Sequence, residues 1–128
     1  MAWYVDTSAF LKLVKDEKES QPLKTWCAND PQLVSSQLLL LEARRACQRL
    51  EVSEEDLFSA IDFITMMIPN MSTYQKAAEI RPLSLRSLDA LHVATAFEVG
   101  SELEGIVTYD QRMAEAARIN GLVVISPN

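Results

Sequence analysis

Four carboxylates, Asp6, Glu42, Asp89 and Asp110, stand where chemistry is expected. Asp6 follows Trp3-Tyr4-Val5, aromatic and β-branched residues that favour a strand, and precedes Ala9-Phe10-Leu11-Lys12-Leu13-Val14, which reads as a helix. Asp110 repeats the arrangement after Val107-Thr108-Tyr109. A carboxylate at a strand-to-helix junction of an α/β protein lies at the carboxyl end of the sheet, where such folds place their ligands. Acids sharing one cleft raise one another's pKa, so keeping them ionised calls for a compensating cation. All-oxygen donors suit Mg²⁺ or Mn²⁺ rather than zinc, and the chain has no Cys/His set. Such ions lower the pKa of a bound water and stabilise charge on a phosphate, so the chemistry indicated is phosphodiester hydrolysis.

Each acid also has a reading without chemistry. Asp6 and Asp110 occupy favoured helix N-cap positions, although Thr7 and Ser8 offer hydroxyls that would cap in place of Asp6 and leave it free. Glu42 follows Leu38-Leu39-Leu40-Leu41 in mid-helix, with Arg45 and Arg49 along the same stripe. That stripe is either an exposed face with a weak Glu42–Arg45 pair or a carboxylate with arginines placed to meet phosphate. Asp89 suits the dipole of a helix first turn. Its neighbours Leu88, Ala90, Leu91, Val93, Ala94, Ala96 and Phe97 are nearly all apolar or small, which puts the acid at the rim of a closely packed helix. His92, one turn on, fits a hydrogen-bonded structural histidine better than a ligand.

The elements that must carry these residues alternate. Strands are expected at Trp3–Val5, Gln32–Ser35, Met67–Met71, Glu104–Tyr109 and Leu122–Ile125, the third weakened by Pro69 and so placed at a sheet edge. Helices are expected at Ala9–Val14, from Pro22 through Cys27 with Ser20 as cap, and at Gln37–Leu50 capped by Ser35 or Ser36. Further helices run from Ser53 to about Met66, from Ser72 until Pro82 ends it, from Leu88 to Val99 capped by Ser87, and from Asp110 to Asn120. The alternation predicts one α/β domain over residues 1–128, with a parallel sheet covered on both faces.

Composition narrows the setting. A 128-residue chain with 48% hydrophobic residues can bury one substantial core. No apolar run approaches the ~20 residues that span a membrane, and no signal peptide is evident, so a cytoplasmic protein without membrane association is expected. Cys27 and Cys47 have no metal-like spacing and are expected to be reduced thiols. A net charge of −6 argues against a broad basic nucleic-acid surface, but not against a nuclease whose carboxylates hold cations.

Val5-Asp6-Thr7-Ser8-Ala9, the helical Glu42, Leu88-Asp89-Ala90-Leu91-His92-Val93-Ala94-Thr95-Ala96 and Val107-Thr108-Tyr109-Asp110 together resemble the PIN-domain ribonucleases, and within them the VapC toxins of prokaryotic toxin–antitoxin pairs. The resemblance covers nearly the whole chain in order. It implies a five-stranded parallel α/β/α sandwich in strand order 3-2-1-4-5 and Mg²⁺- or Mn²⁺-dependent cleavage of single-stranded RNA that leaves a 5′-phosphate. It matches Asp6, Glu42, Asp89 and Asp110 to the family's acidic quartet, and Ser8 and Thr108 to polar residues beside it. It further implies a homodimer and a VapB-type antitoxin whose basic side chain enters the acidic pocket. Trp3-Tyr4 departs from the aliphatic pair usual in the first strand, and Pro69 interrupts the third.

Other parallel-sheet families fit less well. A phosphoacceptor receiver needs a second acid beside Asp6 and a late-strand Lys; a haloacid-dehalogenase-like phosphatase needs Asp where Ser8 stands; a D-x-S-x-S adhesion module fails at Phe10. Two readings within the PIN fold stay open: an RNA-processing nuclease without antitoxin, and an interaction module with little activity.

Overall fold

The computed structural model describes residues 1–128. Five strands, β1 (Ala2–Val5), β2 (Gln32–Ser36), β3 (Ile64–Met67), β4 (Leu103–Val107) and β5 (Val124–Ile125), form one sheet in the order β3-β2-β1-β4-β5. Every pairing is parallel, as the sequence leads one to expect. The helices are α1 (Thr7–Val14), α2 (Ser20–Cys27), α3 (Leu38–Arg49), α4 (Glu54–Ile61), α5 (Met71–Glu79), α6 (Ser87–Phe97) and α7 (Gln111–Ile119), with one 3₁₀ turn at Gly100–Glu102. None is long and apolar enough to cross a membrane.

Strand alternation divides the core in two. Val5, Leu33, Ile64 and Val107 face α1 to α4 and pack with Ala9, Phe10, Leu23, Leu39, Ala43 and Leu57. Ala2, Tyr4, Val34 and Ile106 face the other way, onto Val93 and Ala96 of α6 and Met113 and Ala117 of α7. Helix α6 is the most enclosed, buried without a break from Asp89 to Ala96. Its small residues let it lie against both the sheet and α5. Cys27 and Cys47 are free thiols.

The bulky pair in β1 is accommodated by its neighbours. Trp3 sits in register with Gly105 of β4 and meets Trp26 edge-on at 5.7 Å. A Cβ on Gly105 would lie 2.4 Å from the Val123 carbonyl oxygen and 2.8 Å from the Trp3 ring, so glycine is required there by close approach. Gly105→Ala is therefore expected to destabilise the fold by about 1–3 kcal/mol through overpacking, read as a lower urea midpoint at unchanged m-value.

Four local expectations are corrected. The helix opened by Ser53 stops at Ile61, and the third strand is Ile64–Met67 rather than Met67–Met71. Ile64 and Thr65 are β-branched and favour a strand, pairing Leu33 with Ile64 through Ser36 with Met67 buries Ile64 and satisfies the backbone, and Pro69 falls just beyond. β3 is an edge strand, as expected. Ser20 does not cap α2; it is buried, donates to the Lys15 carbonyl and accepts from the Glu17 N–H, tying the preceding turn. For α3, Ser36 accepts from the Leu38 N–H at 3.1 Å, whereas the Ser35 hydroxyl donates to the Val5 carbonyl. Ser87 is the first residue of α6, and the cap position belongs to Arg86, whose side chain makes no capping bond.

Candidate active site

β1 leads away to β2 on one side while β4 lies on its other side, so the carboxyl ends of β1 and β4 flank the point where the chain's connections diverge. Such a point leaves a crevice, and both strands deliver an acid to it. Val5 pairs with Val107; the next residue on β1 is Asp6, and β4 continues through Thr108 and Tyr109 to Asp110.

Asp6 is 3% exposed and does cap α1: its Oδ1 accepts from the Ala9 N–H at 3.0 Å. The idea that Thr7 or Ser8 would relieve it of capping is not borne out, because the Ser8 hydroxyl instead donates to the same Oδ1 at 2.7 Å. Thr108 donates to Oδ2 at 2.5 Å. Ser8 accepts from the Tyr109 N–H and Thr108 from the Asp110 N–H, so the single proton of each hydroxyl is aimed at Asp6. Burial pushes the Asp6 pKa up, and the bonds from Thr108, Ala9 and Ser8 offset this in part.

Asp110 likewise caps its helix, with Oδ1 accepting from the Arg112 and Met113 N–H groups. Its Oδ2 faces Arg86, whose terminal nitrogen lies 3.6 Å away, while the same guanidinium donates through Nε to Asp89 Oδ2 at 3.1 Å. Arg86 thus bridges two of the four acids.

Glu42 reaches the group from α3. Its Oε1 accepts from Thr7 Oγ1 at 2.7 Å and lies 2.5 Å from His92 Nε2. His92 Nδ1 lies 2.6 Å from the Tyr4 hydroxyl. Burial raises the Tyr4 pKa and keeps the phenol protonated, and the phenol and the Glu42 carboxylate face opposite nitrogens of the ring, so His92 joins the two. Burial alone would raise the Glu42 pKa, but the bonds from His92 and Thr7 and the charge of Arg86 hold it below the usual range. His92 is a buried structural histidine, as its apolar helix suggests, and the partners of Glu42 are Thr7 and His92 rather than Arg45, which is exposed.

Shared partners join three of the acids, since Thr108 donates to the Asp6 carboxylate and accepts from the Asp110 backbone N–H while Arg86 bridges the Asp110 and Asp89 carboxylates; Glu42 is tied instead to α1 and α6 by Thr7 and His92. No three carboxylate, imidazole or thiol groups are gathered about one point. The donor set nevertheless fits a hard divalent cation. It is all oxygen, protein bonds to Glu42 fall on Oε1 and those to Asp89 on Oδ2, and the positive charge already between Asp89 and Asp110 is a guanidinium. One groove of about 550 Å³ lies elsewhere, between Leu13, Val14, Cys27 and Phe63 at the amino ends of β2 and β3, and another of about 550 Å³ is lined by Arg86, Arg112 and Glu115.

Arg86 and the Tyr4–His92 link escape a reading of the sequence. The Arg86–Asp89 spacing of three residues was a visible signal for the first; nothing local connects Tyr4 to a residue 88 positions away.

Comparison with known proteins bears on the family and the fold. The sequence matches the PIN domain family over residues 3–119. It is 34% identical over 128 residues to ribonuclease VapC46 of Mycobacterium tuberculosis, covering 99% of this chain and 98% of that protein. The fold superposes on the crystal structure of VapC20 of Mycobacterium tuberculosis, described as a sarcin-ricin loop cleaving toxin, with TM-score 0.79 at 18% identity, covering 99% and 100% of the two chains. It also superposes on a chain of a toxin–antitoxin complex from Klebsiella pneumoniae with TM-score 0.75 at 20% identity, covering 98% of each.

Proposed function

Because this chain belongs to the PIN domain family and is of the VapC type, we propose that it is a Mg²⁺- or Mn²⁺-dependent endoribonuclease that cuts single-stranded RNA as the toxin of a toxin–antitoxin pair. The observation that carries the reading is the Arg86 bridge between Asp89 and Asp110 at the carboxyl edge of the sheet, beside an Asp6 carboxylate held by the same Thr108 that meets the Asp110 backbone.

Asp6, Glu42, Asp89 and Asp110 are the residues that would hold the cation. When bound, it supplies an activated water and stabilises negative charge on the scissile phosphate. The chain's own contribution is orientation. Ser8 and Thr108 fix the plane of the Asp6 carboxylate, and Thr7 and His92 fix that of Glu42. Arg45, exposed one turn beyond Glu42, is assigned to an RNA phosphate.

The proposed partners follow from the same surface. An acidic pocket in a chain of net charge −6 suits a basic side chain of a VapB-type antitoxin, in keeping with the antitoxin present in the Klebsiella complex of the same fold. The second copy of a homodimer is assigned to the apolar face formed by α5, the segment after it and the start of α6, where Met71, Tyr74, Leu83 and Leu88 are exposed.

The test is cleavage of a mixed cellular RNA pool by the purified chain, with Mg²⁺, with Mn²⁺ and with chelator. Discrete cuts are expected with either ion and none with chelator. Cutting that survives chelation would overturn the metal-dependent reading, and a folded, antitoxin-free protein that cuts under no condition would favour an interaction module.

A further inference from the structure

Arg86 is an unusual residue at its position. It is the N-cap of α6, where backbone N–H groups point outward and the helix dipole disfavours a cation. Ser, Thr, Asp or Asn would satisfy those groups, and Arg86 satisfies none of them. Local preference and observed residue conflict here, which is the pattern of a residue kept for a site rather than for the fold.

What holds the guanidinium is the acid pair. Nε donates to Asp89 Oδ2 at 3.1 Å and a terminal nitrogen stands 3.6 Å from Asp110 Oδ2, a two-point bridge that a single ammonium does not reproduce. Its charge also lowers the Glu42 pKa. The root of the side chain is fixed, because the Arg86 carbonyl accepts from the Ala90 N–H at 2.9 Å. The side chain beyond it is 65% exposed.

We propose that Arg86 is a two-position residue of the site: in the metal-free chain its guanidinium bridges Asp89 and Asp110, and a divalent cation displaces it onto a phosphate of the bound RNA. The proposal rests on the reading of the acids as a cation site. The physical basis is charge exclusion. A guanidinium and a divalent cation drawn to the same two carboxylates repel each other at close range, and the displaced group, tethered at the pocket rim, finds its nearest new anion on a phosphate held there.

Two binding measurements test it, neither of them of activity. The first follows free Mn²⁺ by electron paramagnetic resonance during titration of wild type, Arg86→Ala, Arg86→Lys and Arg112→Ala. Arg112 is an exposed neighbour that removes the same charge without breaking the bridge. Arg86→Ala is expected to tighten Mn²⁺ roughly fivefold, the upper end for an exposed ion pair. Arg86→Lys should shift in the same direction because the fork is lost, and Arg112→Ala should stay within about twofold. The second measures anisotropy of a fluorescein-labelled 20-nucleotide phosphorothioate single-stranded RNA at saturating Mn²⁺ over a range of salt. Arg86→Ala should flatten the log–log salt slope by about 0.7, one phosphate contact, and Arg86→Lys should keep the slope.

Equal Mn²⁺ affinity in wild type and Arg86→Ala, or equal tightening in Arg112→Ala, would overturn the displacement. An unchanged salt slope in Arg86→Ala would overturn the second position. Wild type that binds no Mn²⁺ would remove the cation site itself, and this proposal with it, so the two failures are distinct.

Discussion

Asp6→Asn is expected to lower metal-dependent RNA cleavage on the order of a thousandfold or more, the scale on which removal of a preorganised charge-stabilising group acts. The fold should survive. The Asn side-chain oxygen can keep both bonds now made by Asp6 Oδ1, from Ala9 and from Ser8. The amide nitrogen then faces Thr108, whose hydroxyl can rotate to accept, so no buried polar atom is orphaned. Stability supplies an independent check. Burial raises the Asp6 pKa in the metal-free chain, so the folded state binds a proton where the unfolded chain has released it. Stability from that group is present below the unfolded value and is lost as pH rises through the folded one. In chelated buffer at neutral pH, Asp6→Asn should therefore unfold at a midpoint equal to or above that of wild type, with the difference shrinking toward acid. Undiminished cleavage by the folded variant would remove Asp6 from the site.

How far such a site is legible in a sequence depends on the range of the forces that build it. Asp6 and Asp110 can be found because a strand and a helix meet at each, and both elements are set by local residue types. Asp89 stands out because the helix around it is otherwise apolar. The third strand is misplaced because the β-branched pair Ile64-Thr65 is too short a signal beside the preceding helix, and its extent is fixed by pairing with β2. The sheet order came from family resemblance rather than from any pattern in the chain. Arg86 was half visible, since its spacing to Asp89 is local, but its contact with Asp110 exists because α6 and α7 pack side by side on β4. The Trp3–Gly105 match is a pairing of two strands about a hundred residues apart, so a departure in one strand and its remedy in the other cannot be connected before the register is known.

His92→Ala is expected to destabilise the protein by about 3 kcal/mol, the largest stability effect among the residues of the site. The imidazole is 1% exposed, so its removal leaves a cavity, and it also strips the fully buried Tyr4 hydroxyl of its ring partner. Tyr4→Phe removes one hydroxyl and little volume, and should cost about 1–2 kcal/mol because His92 Nδ1 is then left without a partner. Since the two changes delete the same bond, their effects should not add. A double-mutant cycle by urea denaturation should return a coupling of about 1 kcal/mol, whereas additivity within ~0.3 kcal/mol would mean that the Tyr4–His92 bond contributes nothing. Glu42→Gln separates this structural role from the chemistry. Its side-chain oxygen can still accept from Thr7 and His92, so stability should change by less than about 1 kcal/mol while cleavage falls with the lost charge. If Glu42→Gln instead kept full activity and His92→Ala abolished it at temperatures where both are folded, the His92–Tyr4 pair rather than the carboxylate would be the functional element at this corner of the site.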